Sequence, residues 1–297
     1  MSEWSSLLGA EAPLAPLVGP FPEEPFVDVW WRHRAAGVPV VAESDGSVLA
    51  CVLADGMLRM AGEADLTDYH SPLGSSLSGL VDRLIAAVPP GTRLVLDSLP
   101  EEAAVPLAAA LSVVGVEVSA TEHAATMTLD LPERIDDHMA DLAGKHRHEI
   151  RRKRRRFEDA LGMPGLRRDD SGFNAFVEMH RAAPGDKGLF MTDGMAGFFR
   201  DLLATPGWVL DALVGSSGKP VAAAVGFEDD RAYYLYNSSF DPAAAEASPG
   251  IVLTDELIRA AIGSGRRRFD FLKGRESYKR RFGAVPRPLT LLEGALP

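Results

Sequence analysis

Twice along this chain of 297 residues, three short apolar runs separated by turn signals lead into a loop, an amphipathic helix and one more apolar run. In the first pass the runs are "VPVVAES", "SVLACVLA" and "MLRMAG", divided by Asp45-Gly46 and Asp55-Gly56. Those dipeptides supply the positive φ angles of two-residue hairpin turns, so the runs read as an antiparallel meander. Beyond the loop "EADLTDYHSPLG", Leu77, Leu80, Val81, Leu84 and Ile85 share one helical face, and the strand "TRLVLDSL" precedes an Ala-rich helix from Glu101. In the second pass "GWVLDALVG" and "PVAAAVGFED" form a hairpin around "SSGKP", and "RAYYLYNSS" is the third strand. The loop "FDPAAAEASPG" then leads to a helix with Ile251, Leu253, Leu257, Ile258 and Ala261 on one face, and to the strand "RRFDFL". This order predicts an α/β (α+β) fold made by duplication, with two mostly antiparallel mixed sheets flanked by helices.

The length and the 46% hydrophobic content suffice for two cores of medium size. The expected boundary lies near "TLDLPERIDD", where Pro132 starts a helix leading into a basic one, which gives domains 1–131 and 132–297. A single cysteine, Cys51, excludes an intramolecular disulfide. No apolar stretch approaches the roughly 20 residues of a membrane span, and the start has no signal-peptide pattern, so a bacterial-type cytoplasmic protein is the simplest expectation. The seven histidines show no paired metal-ligand spacing, and no G-x-S-x-G turn is present. Neither a metal site nor a serine hydrolase is therefore expected.

Against this background the run "KHRHEIRRKRRR", Lys145 to Arg156, is anomalous. It carries eight Lys or Arg and one Glu in a protein of net charge -11, so the remainder carries about -18. On a helix, Arg147, Arg151, Arg154 and Arg155 cluster by spacings of three and four. Acidic neighbours such as Asp136, Asp141 and Glu158 could offset them as a solvated face. A phosphate-bearing partner, whether a nucleotide, a lipid-linked acceptor or a tRNA acceptor stem, would relieve the same repulsion.

Three segments carry a family resemblance: the Arg-rich helix "HRHEIRRKRRRFEDALG", the stretch "YLYNSSFDPAAAEASPGIVLTDELI", and the close "FDFLKGRESYKRRFGAVPRPL". Together they resemble the GNAT acyltransferase superfamily, in its FemAB-like and CelD-like branch with paired domains. The likeness is good from about Leu131 onward and only an outline before it. It implies a degenerate GNAT-like first domain and a catalytic second one.

The resemblance assigns roles. Asn237, Ser238 and Ser239 fall where GNAT strands splay apart and hold an activated acyl group. Ser248, Pro249, Gly250 and Ile251 open a helix whose first N–H groups would face the donor's phosphates; the same residues also suit an ordinary helix start. The glycine-rich pyrophosphate signature usual with acetyl-CoA is absent apart from Gly250. Acyl transfer needs a proton acceptor, oxyanion donors and a proton for the leaving group, and Asp270, Glu276, Tyr278 and Lys279 offer these chemistries. His180 and Lys187 fit an acceptor-site lid, with "DKGLFMTDG" as its mobile part.

The expected activity is N-acyl transfer, such as N-acetyl transfer, from a donor such as acyl-CoA to a small-molecule or cell-envelope amine by direct attack. An aminoacyl-tRNA-dependent peptidyltransferase of the Fem type is the alternative within enzymes. The alternative outside them is an inactive module that binds RNA or an anionic polymer through the basic helix.

Overall fold

A computed structural model of the protein describes residues 2 to 297. The chain forms two compact units, one of Met1–Thr126 with Arg287–Pro297 and one of Met127–Pro286. In the first unit α1 (Glu24–Arg34) precedes β1 (Val38–Ser44), β2 (Ser47–Ala54) and β3 (Met57–Met60). These strands pair as an antiparallel meander. Asp45, Gly46, Asp55 and Gly56 all take positive φ, as the turn dipeptides require. Then come α2 (Leu77–Ala86), β4 (Arg93–Leu99), α3 (Glu101–Val113) and β5 (Val118–Asp130), which runs on into the second unit.

The second unit contains α4 (Ile135–Asp141), α5 (Gly144–Leu161), β6 (Gly165–Arg168), α6 (Phe173–Arg181), α7 (Asp186–Phe190) and α8 (Asp193–Leu203). It continues with β7 (Trp208–Val214), β8 (Pro220–Glu228), β9 (Ala232–Phe240), α9 (Pro249–Gly263), β10 (Arg268–Lys273) and α10 (Ser277–Arg281). The last strand, β11 (Val285–Ala295), pairs antiparallel with β4 of the first unit. Strand order is β1-β2-β3-β4-β11-β5 in the first unit and β5-β10-β9-β8-β7-β6 in the second. Both units thus repeat three antiparallel strands, a helix and a strand parallel to the third. The duplication read from the apolar runs is a duplication of structure, and the fold class is the expected mixed α/β one.

The second core is built from the inner face of α9 (Leu253, Leu257, Ile258, Ala261), the α5 residues Ile150 and Phe157, and Tyr233, Phe269 and Phe271 from the sheet. Two irregularities interrupt its regularity. β9 and β10 pair over only Ala232–Tyr234 and Arg268–Asp270. The β8/β9 register shifts between Val225 and Gly226, leaving Tyr236 as an extra residue that bulges β9. The first unit has the same short parallel pairing, Met57–Arg59 with Arg93–Val95. There, however, the loop before α2 folds back on β4: the His70 N–H donates to the Ser98 carbonyl (2.9 Å), and the His70 ring lies 3.0 Å from the Asp97 carbonyl.

Two local expectations need correction. No helix starts at Pro132; α4 begins at Ile135, and the extended backbone at Leu142 and Ala143 separates it from α5. The stretch "DKGLFMTDG" is not a loop but α7 and the capped start of α8, where the Thr192 hydroxyl accepts the Met195 N–H.

Candidate functional site

Beyond Tyr234, β9 and β10 diverge, and the helix α9 starts from the loop that follows β9. Its first turn is unusual. Ser248 sits in the left-handed region (φ 57) and makes no side-chain cap. Its carbonyl accepts the N–H groups of Ile251 (3.1 Å) and Val252 (3.3 Å). Pro249 has no N–H, so Gly250 alone presents an N–H without an acceptor among the described residues, where the helix dipole favours an anion. Lys153 of α5 donates to Ser248 Oγ at 3.2 Å, and the Arg156 guanidinium donates to the Glu246 carbonyl at 3.3 Å. A Cβ on Gly250 would lie 3.4 Å from the Phe240 ring. Of the four residues from Ser248 to Ile251, Ser248 thus meets Lys153, a cation outside the expected phosphate group that also pairs with Glu149 at 3.7 Å.

The packing of α5 explains which of its cations remain available. Ile150 and Phe157 are its buried residues, so positions 147, 153 and 154 lie on the protein-facing stripe. Arg147 donates to the carbonyls of Met139 (3.1 Å), Ala140 (3.1 Å) and Leu142 (3.3 Å) and ties off the end of α4. Arg154 binds Asp255 at 3.0 Å, together with Glu256 and Glu158. Burial of Arg154 opposes its charge, but Glu256 and Asp255 outweigh that and raise its pKa. Arg151 and Arg155 face solvent with no ion pair among the described residues, as does Lys145. The four predicted phosphate ligands therefore divide into two that brace the helix and two that are free.

The closing segment is equally divided. Asp270 is fully buried and accepts the Leu272 N–H at 2.8 Å, which supports the positive φ (57) of Leu272. The Lys279 ammonium, buried beneath the turn, donates to the carbonyls of Leu272 (3.4 Å), Lys273 (2.7 Å) and Gly274 (3.1 Å), and pairs with the exposed Glu276 at 3.0 Å. All of its donors are thus committed to shaping the turn. Tyr278 differs. Its ring packs edge-on against Phe271 at 6.2 Å, and its hydroxyl has no protein partner among the described residues. Desolvation, with help from Glu276, raises its pKa and keeps it protonated. Of the four, Tyr278 is the one left with a transferable proton.

On the other side of β9, His180 and Asn237 meet: the buried ring lies with Nε2 2.6 Å from Asn237 Oδ1 and Nδ1 3.1 Å from the Lys187 carbonyl. Desolvation lowers the His180 pKa despite both hydrogen bonds. Phe176 and Phe190 enclose the ring at centroid distances of 5.5 and 5.9 Å. Lys187 is on the surface, yet protein crowded around its side chain desolvates the ammonium and lowers its pKa. Ser239 is buried and donates to the Phe176 carbonyl at 3.0 Å, fixing α6 to β9, while the half-buried Ser238 has no side-chain partner among the described residues. No group of three or more metal-ligating side chains occurs among the described residues, and no helix among them is long and apolar enough to cross a membrane.

Residues 144–280 match the family model of the acetyltransferase (GNAT) domain. No curated protein matches the chain in sequence. Among solved structures, the fold is similar to a conserved protein from Bacteroides thetaiotaomicron at 12% identity (TM-score 0.67, covering 98% of this chain and 95% of that one). It is similar to FemX at 9% identity (TM-score 0.65, 98% and 94%). L-PGS from Bacillus licheniformis is a third, at 12% identity (TM-score 0.62, 93% and 92%).

Proposed function

Since residues 144–280 match the GNAT acetyltransferase family model and the fold is similar to that of FemX, we propose that the second unit transfers an acyl group from acyl-CoA to an amine acceptor. The observation that carries this is the divergence of β9 and β10 after three paired residues, with the open first turn of α9 beside it. Diverging strands leave backbone groups unpaired, and a thioester with its amide-bearing arm can complete them. Donor phosphates would meet the Gly250 N–H and Lys153. The amine attacks the acyl carbonyl directly, since Cys51 lies in the other unit and is buried, with its thiol pKa pushed up to about 12. Tyr278 supplies the proton that the leaving thiolate takes up, and the proton that the amine nitrogen loses on forming the amide returns to the phenolate through solvent. The acceptor is a small-molecule or cell-envelope amine.

A second donor class, aminoacyl-tRNA, is favoured by one observation: the free cations Lys145, Arg151 and Arg155 line the outer face of α5, where a polyanion would replace solvent. Calorimetric titration with acetyl-CoA, and separately with charged tRNA, decides between the donors. Gly250→Val places a branched side chain against the Phe240 ring and over the exposed N–H, and should weaken acetyl-CoA binding at least tenfold in a folded protein. Unchanged affinity would remove the α9 start from the donor site.

A further inference from the structure

The Lys187 carbonyl can only accept, so the 3.1 Å contact requires a proton on His180 Nδ1. That fixes what Nε2 does. A neutral ring protonated at Nδ1 has a lone pair at Nε2, which needs a donor; a doubly protonated ring has an N–H there, which needs an acceptor. The partner 2.6 Å away is Oδ1 of the Asn237 amide, which as an acceptor matches an N–H at Nε2; the NH2 end of the same amide is nearly the same shape and opposite in polarity. That NH2 end has no protein partner among the described residues, and Asn237 is half-buried on the part of β9 that has left its pairing with β10.

We propose that His180 is a positioning residue that selects which end of the Asn237 amide is offered to the substrate site. With the ring neutral, Nε2 holds the NH2 group and the Asn237 carbonyl Oδ1 faces outward, accepting an N–H from the bound acyl donor or acceptor. With the ring protonated, the amide is turned over: Oδ1 accepts from Nε2–H, and the outward NH2 group repels the same N–H. The 2.6 Å contact to Oδ1 is the arrangement of the protonated ring, while enclosure by Phe176 and Phe190 and the pKa lowered by burial favour loss of that proton and the amide with its NH2 group on Nε2 at neutral pH. Lys187, on α7, is the charged group that acts on the ring, and it disfavours protonation; the contacts from α6 and β9 are neutral. This inference rests on the acyltransferase reading for its function but not for its chemistry.

The test is NMR on the full chain with labelled histidine and asparagine, followed from about pH 7.5 to about pH 5. The expected result is a neutral Nδ1–H ring at the upper end, and Asn237 NH2 signals that shift with the His180 midpoint. Asn237→Asp, which can only accept, should raise that midpoint by about one unit or more, because a carboxylate beside the ring favours its charged form. A neutral ring protonated at Nε2, Asn237 signals indifferent to the titration, or an unmoved midpoint in Asn237→Asp would each overturn the proposal. Calorimetry with acetyl-CoA locates the N–H. A several-fold loss of affinity on acidification assigns it to the donor, and unchanged affinity with the NMR coupling intact assigns it to the acceptor. Failure of the wild type to bind acetyl-CoA at all would count against the acyl-CoA reading above, while the NMR results alone would still decide the coupling of ring and amide.

Discussion

Lys279 reaches back to three successive carbonyls five to seven residues earlier, and in doing so replaces the water that the turn after β10 would otherwise need. Buried acceptors left without a donor are costly, each on the order of 1–3 kcal/mol. Lys279→Met should therefore lower stability by about 2–4 kcal/mol, read as a fall in melting temperature. Tyr278→Phe should behave in the opposite way, since the ring keeps its contact with Phe271. Its melting temperature stays near that of the wild type while single-turnover acyl transfer slows on the order of 10²-fold, the effect typical of losing one general acid. Normal turnover in a folded Tyr278→Phe would move the search for the leaving group's acid elsewhere. The sequence offered these two neighbours as equal candidates, because both residue types suit acyl-transfer chemistry. What separates them is which hydrogen bonds each already makes, and that depends on a turn that local spacing does not describe.

At the scale of elements, ion pairs anchor both α5 and the strands around Glu228. Arg154→Ala should cost about 1–3 kcal/mol, because Asp255, nearly buried, loses a charge-assisted partner. Arg151→Ala with Arg155→Ala should change stability by less than about 0.5 kcal/mol. The same pair should flatten the salt dependence of polyanion binding, by up to about 0.9 in slope per lost duplex-like contact; identical slopes would leave this face simply solvated. Glu228 gives a pH test. Burial pushes its carboxyl pKa up, but hydrogen bonds and charge from Arg266 and Arg168 outweigh that and hold it below the ordinary 4.5. Its contribution to stability is thus present above about 4.5 and lost as pH falls through the lowered value. Arg266→Gln should be less stable near neutrality and should lose less on acidification, measured by urea melts across that range.

Several elements were legible because periodicity and turn residues agree with each other: the Asp-Gly hairpins, the stripe of α9, and the third strand of each meander. β5 was not, because its first half is exposed and its second half buried throughout, so no alternation marks it. β11 was missed because its partner β4 lies far back in the chain, and α8 went unread beyond its first two residues, Asp193 and Gly194, which fell in the expected lid. Lys153 had a signal that could have found it. Ile150 and Phe157 are apolar positions seven apart in an otherwise charged run, and Lys153 lies between them on the face they mark.

At the scale of the whole molecule, the last strand belongs with the first unit. Arg287 donates to the carbonyls of Leu17 (2.8 Å) and Pro16 (3.0 Å) and lies over the Tyr69 ring at 5.2 Å. A chain ending at Pro286 should therefore lose the cooperative unfolding of the first unit while the second unit keeps its own, so that calorimetry shows one transition weakened and one preserved. A single unchanged transition would mean that β11 is dispensable to β4. The self-filled divergence of β3 and β4, with His70 bonded to Ser98, also predicts one acyl donor bound per chain. A measured stoichiometry of two would contradict it.

The return of β11 has a consequence for biosynthesis. On a ribosome adding about 5–20 residues per second, the second unit has emerged almost in full before the first receives its closing strand, a delay of roughly 10–30 s. During that interval the β4 edge is open, a template for any strand that reaches it. Slowing elongation late in the message should lengthen that exposure and raise the aggregated fraction of newly made chain.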